Sequence, residues 1–115
     1  MVAGQSWVDG YKRELQHANS ARSLGNEGMA RVCARRAARI IIGEYLARRG
    51  YTNLSPSIFE RISIFTSLPE VSRQSREVAR LFLLRVTPEH NLPIDADLIH
   101  AAERLVETLS LEGEA

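Results

Sequence analysis

The sequence predicts an all-α fold: an antiparallel four-helix up-and-down bundle with one extra short helix. Three observations carry that expectation. Apolar residues recur at three- and four-residue spacing along most of the chain, and no stretch alternates like a half-buried strand. Serine, asparagine, proline and glycine fall between the periodic segments, where helix caps and breaks belong. The 115 residues include 44% hydrophobic and 25% charged side chains with only four prolines and seven glycines. A chain of that length buries roughly two-thirds of its unfolded surface without disulfide or metal staples. One domain over residues 1–115, with a core of about 7–110, follows.

The first helix begins near Ser6, with Asp9 three residues on in a capping-box-like arrangement. Trp7, Tyr11, Leu15, Ala18 and the stem of Arg22 form its inner stripe. It ends near Leu24-Gly25, and Gly25-Asn26-Glu27-Gly28 makes the turn. Asn26 caps the second helix and Glu27 complements its positive end. That helix runs to Arg48-Arg49 and is closed by Gly50. Its inner stripe is read as Met29, Cys33, Ala37, Ile40 and Glu44, with Ala30 and Ile41 alongside. On the other side Arg31, Arg35 and Arg39 stack at four-residue spacing, and the same side turns apolar at Ile42 and Leu46. A helix apolar all round in its second half is either central to the bundle or part of a subunit interface.

Ser55-Pro56 reads as the start of a short third helix carrying Ile58, Phe59, Ile62 and Phe65. Leu68-Pro69-Glu70 starts the fourth, with Val71, Val78, Phe82 and Arg85 on one side and Leu83 and Leu84 on others. Pro88 and Pro93 break the chain. The last helix begins at Ile94 or Asp95 and turns Leu98, Ile99, Ala102, Leu105, Val106 and Leu109 inward. Two helices with wide apolar surfaces favour a homodimer.

Charge narrows the function classes. Fifteen basic and fourteen acidic residues leave a net +1, which excludes a histone-like coater of DNA and an acidic disordered tail. The sum conceals an asymmetry: residues 1–57 carry nine basic and four acidic side chains, residues 58–115 six and ten. The two halves are therefore opposed surfaces that can satisfy each other across a dimer. Lys12 is the sole lysine, and arginine suits planar, bidentate contacts to carboxylates and phosphates better than lysine does. Cys33 is the sole thiol and reads as a small apolar filler. The charges among the first thirty residues leave no signal-peptide core, and no apolar run spans a bilayer. A cytoplasmic protein is expected.

No high-specificity catalytic motif is present. His17 and His100 face outward, His90 falls in a loop, and no Cys or His pair has metal-ligand spacing, so neither metal nor cofactor is expected. The row Arg31, Arg35 and Arg39, with Arg36 nearby, reads first as a solvated face and second as a contact to the acidic half of a partner subunit. Its third reading is a grip on phosphates of a nucleotide or RNA. Glu44 on the inner stripe pairs with Arg48 one turn on, or with an arginine of another helix such as Arg85.

The run Leu24-Gly25-Asn26-Glu27-Gly28-Met29-Ala30-Arg31-Val32-Cys33-Ala34-Arg35-Arg36-Ala37-Ala38-Arg39 resembles the helix-turn-helix core of HEPN domains, with Arg35-Arg36 as the polar doublet and Ala37-Ala38 as the paired alanines. The later helix order is similar too, over about residues 7–110. Arg39 and Gly43 depart from the pattern, where many members carry glutamate and lysine. The resemblance implies a helical bundle, frequent dimerisation, and RNA, nucleotides or a small nucleotidyltransferase as partners. Many active members are ribonucleases built on an arginine and a histidine four to six residues apart, which Arg85 and His90 match in spacing. Val86 directly after Arg85, and Pro88 between the two, depart from that motif's usual setting. The first expectation is thus a non-catalytic, homodimeric HEPN-like module, possible ligands being nucleotide or RNA. The alternatives are a metal-independent ribonuclease using Arg85 and His90, and a tetratricopeptide-like interaction adaptor.

Overall fold

In the computed structural model, residues 6–84 and 96–109 are described. They form five α-helices and no strand: α1 Ser6–Ser23, α2 Glu27–Arg48, α3 Ile58–Ser67, α4 Arg73–Arg80 and α5 Leu98–Leu109. A 3-10 turn, Leu81–Leu83, extends α4. The all-α class stands, and no described helix is long and apolar enough to cross a membrane.

The α1 stripe is as the spacing predicts, with Trp7, Tyr11, Leu15 and Ala18 all buried. The Trp7 and Tyr11 rings stack at 5.5 Å. Asn26 caps α2 by accepting the Met29 N–H at 3.1 Å, and Gly25 takes a positive φ of 78° in the turn before it. At the other end Gly50, at φ 89°, closes the helix.

The buried band of α2 differs in phase from the predicted stripe. Ala30, Ala34, Ala37 and Ala38 have no exposed surface, and Cys33 retains 3%. Met29 is 45% exposed. It lies in the first turn of α2, at the end of the buried band. Ile42 and Leu46 are fully buried within this one chain, because α1, α3 and α5 all pack on α2. The broad apolar second half therefore marks the central helix of the bundle, and its covering comes from the same copy.

Three helix starts move inward from the expected positions, each because a nearer cap holds the first turn. Ser57, not Ser55, caps α3 by accepting the Glu60 N–H, while Ser55 Oγ accepts the Ser57 N–H at 3.1 Å. Ser72 caps α4 by accepting from Ser75 N–H at 3.1 Å. Leu68-Pro69-Glu70 makes a turn instead, with the Leu68 carbonyl accepting from Val71 N–H and from the Arg76 guanidinium. Asp97 caps α5, its Oδ1 accepting from Ile99 and His100 N–H at 3.1 and 3.2 Å. Phe59, expected among the core residues of α3, is 46% exposed, whereas Ile62 and Phe65 are fully buried. Buried spacing runs 58, 62, 65, and Phe59 falls one residue out of phase with it.

Ion pairs join the cationic and acidic halves within the chain. Arg22 holds Glu27 through Nε and Nη2 at 2.9 and 2.8 Å, and both Asp97 oxygens through Nη1 at 3.1 Å. Arg49 lies 3.6 Å from Glu70 and 3.5 Å over the Tyr45 ring. Arg22's hydrogen bonds hold the Glu27 carboxyl below its ordinary range. Asp97 is also held low: burial opposes its charge, but the His100 backbone N–H and then Arg22 outweigh that effect. Both folded-state values are depressed, so this contribution is full above the unfolded-state values and is lost as pH falls through the folded-state ones. Thermal melts should accordingly drop between about pH 5 and pH 3. Asp97→Asn keeps the cap and should flatten that drop. Asp97→Ala removes the cap as well and should cost about 1 kcal/mol at neutral pH.

Candidate functional site

A groove of about 310 Å³ runs between α2 and the start of α3. Val32, Arg35, Arg36 and Arg39 form one wall; Pro56, Ser57, Ile58 and Phe59 form the other. Three of the four arginines singled out in the sequence thus share one concavity, and Arg31 lies outside its lining. Among the described residues no carboxylate lines the groove.

The three arginines are held differently. Arg35 is half-buried and spans to the end of the 3-10 turn, donating Nε to the Phe82 carbonyl at 3.3 Å and Nη2 to the Leu84 carbonyl at 2.6 Å. Both carbonyls lie at a helix end, where orphan acceptors ordinarily occur. This replaces the fully solvated row expected from the spacing. Burial, and then the charge of Arg31, hold the Arg35 guanidinium below its ordinary pKa. Arg36 is exposed and Arg39 half-buried. Neither side chain makes a hydrogen bond or ion pair among the described residues.

A fourth arginine shapes the groove from behind. Arg61 on α3 donates Nε to the Ser55 carbonyl at 2.7 Å and Nη1 to the Arg39 carbonyl at 3.0 Å. The segment entering α3, and with it Pro56 and Ser57, is thereby tied to α2. Burial, and then the charge of Arg39, push the Arg61 pKa down. Its guanidinium lies where a Cβ on Gly43 would overlap Nη1, which explains why the arginine row gives way to glycine at the next four-residue step. Among the described residues, the site therefore concentrates positive charge, with Arg35 and Arg61 facing carbonyl dipoles rather than carboxylates. Such a cluster favours an anion that brings two or more acceptor oxygens.

The other candidates fall elsewhere. Glu44 pairs with Arg48 at 2.8 Å, the plain outcome of their four-residue spacing. Arg85 and His90 lie outside the described residues, and so does the Glu44–Arg85 pairing. His17 and His100 are exposed. Among the described residues no group of three or more His, Cys, Asp or Glu is placed to hold a metal ion. A second groove, about 410 Å³, separates α1 from α5 and mixes Lys12 with Glu103 and Glu107, so it lacks the single-sign charge of the first. Sequence reasoning missed Val32, Pro56, Ile58, Phe59 and Arg61. Only Phe59 carried a signal, its phase on α3.

Compared with known proteins, this chain matches no family model, no curated protein and no solved structure.

Gly43 and Arg61 provide a test of the groove's support. Alanine in a helix interior is ordinarily favoured over glycine by about 1 kcal/mol. Here Gly43→Ala displaces Arg61 Nη1, whose charge-assisted hydrogen bond to the Arg39 carbonyl is worth about 1.5–3 kcal/mol. Gly43→Ala should therefore destabilise the wild-type protein by about 0.5–2 kcal/mol in urea unfolding. In an Arg61→Leu background the same substitution should become stabilising. Additive effects of the two changes would contradict this assignment.

Proposed function

We propose that this chain is a binding module whose α2–α3 groove takes the phosphate of a nucleotide, either free or within an RNA strand. The observation that carries the reading is the convergence of Arg35, Arg36 and Arg39 on one groove to which no described residue contributes a carboxylate. Arg36 and Arg39 supply guanidinium donors at the rim, while Arg35 and Arg61 hold the surrounding backbone. Bidentate contact from even one guanidinium to a phosphate is a strong, oriented interaction. The net charge of +1 fits local recognition rather than non-specific coating of a polyanion. The HEPN-like pattern of the α1–α2 run points to the same ligand class, and a HEPN-like helical module remains the family reading.

Polarisation of a fluorescent single-stranded RNA at low salt, with adenosine monophosphate as competitor, measures this binding. Arg36→Glu combined with Arg39→Glu should weaken it by about tenfold or more, with an unchanged thermal melt. Arg13→Glu combined with Arg31→Glu makes the same charge change outside the groove and should have a much smaller effect. Equal losses from the two variants, or none from the first, would overturn the groove assignment. Gel analysis of the same RNA separates binding from the ribonuclease alternative: cleavage by the wild type that His90→Ala abolishes decides for the latter.

A further inference from the structure

Resting on the nucleotide reading of this groove, we infer that it selects an unpaired base, seating one nucleotide of single-stranded RNA per copy in preference to a duplex. The wall facing the arginines is apolar. Phe59 is 46% exposed, Ile58 is partly buried, and Val32 on the arginine side is 39% exposed. The first turn of α3 therefore presents an aromatic ring to solvent within the groove that holds the cationic rim. This pairing of chemistries matches a ligand that is anionic at one end and planar and apolar at the other. A nucleotide with its base unstacked is such a ligand, since aromatic rings bind exposed base faces without regard to sequence.

A duplex offers the groove only half of that. Its base faces are stacked on one another, and its backbone presents phosphates alone. Capacity sets a further limit, because a groove of about 310 Å³ lies at the small end of ligand pockets, roughly 300–1,000 Å³. One nucleotide, and not a run of them, is the fitting occupant. Two rim arginines, Arg36 and Arg39, then imply few released counterions. For a single strand neutralised at two phosphates, the slope of log affinity against log salt is about −1.4.

The test uses the intact protein with four probes: a short labelled single-stranded RNA, the same strand annealed to its complement, adenosine monophosphate and ribose 5-phosphate. Single-stranded RNA should bind about tenfold or more tightly than the duplex, with a salt slope near −1.4. Adenosine monophosphate should compete at concentrations where ribose 5-phosphate, which lacks the base, does not. Phe59→Ala should lower single-strand affinity by about tenfold and leave residual duplex binding unchanged, while Phe59→Tyr should retain affinity. Because Phe59 is outside the buried core, matching thermal melts are expected for all three proteins. Equal affinity for single strand and duplex overturns base selection while leaving the phosphate reading intact. An unaltered affinity in Phe59→Ala does the same. Failure of all four probes to bind overturns the nucleotide reading itself.

Discussion

The alanine seam between α1 and α2 is the constraint on which the other elements depend. Ala30, Ala34, Ala37 and Ala38 of α2, with Ala18 of α1, have no exposed surface, and Ala21 of α1 retains only 7%. Side chains this small allow two helices to approach closely over a long contact, but each contributes little apolar area of its own. Gly10 faces Ile40 across the seam, where a Cβ would meet the isoleucine side chain at 3.4 Å, ordinary contact distance. The larger contribution comes from the C-terminal half of α2, where Ile41, Ile42 and Leu46 are fully buried together with Phe65 of α3 and Leu98 and Leu105 of α5. A close hairpin thus fixes α2 as an axis, and bulky residues further along recruit the remaining helices to it.

That division also places the site. The face of α2 carrying Arg31, Arg35 and Arg39 continues through Gly43, where α3 lies across it. Beyond that point the face is apolar and covered; before it the face is cationic and open. The groove is the boundary between the two regimes, formed where α3 begins. Its position follows from where the chain can re-enter after Gly50, which in turn is set by Arg61 reaching the carbonyls of Ser55 and Arg39.

Helix identity was legible because it rests on local periodicity, which every helix here obeys except at the end of a buried band. Met29 lies at such an end, and Phe59 is legible in retrospect from its phase. Helix starts were less legible because neighbouring serines compete for the same role: Ser55 and Ser57 are both near Pro56, and only the position of α2 decides which one caps. The site was half legible. Three of the four arginines singled out on α2 line one wall, but the opposite wall comes from a segment about twenty residues away in sequence, and no local pattern announces that meeting. Gly43 was read only as a departure from a family pattern, since its physical cause is the side chain of Arg61 on another helix.

The near-absence of lysine takes on a structural meaning once each guanidinium is followed to its acceptors. Arg22 grips two carboxylates from the α1–α2 turn and the α5 cap. Arg35 reaches two carbonyls at the end of a 3-10 turn, and Arg61 two carbonyls on separate segments. Each of these bridges uses more than one edge of the planar fork at once, which an ammonium group on a flexible stem does poorly. Arginine is therefore a bonding element that ties helix ends together in this bundle. The same accounting isolates Arg36 and Arg39. Their charges sit beside arginines already committed to backbone acceptors, so neither neighbour offsets them. An anion entering the groove gains from the whole cluster while disturbing none of the bonds that hold the fold.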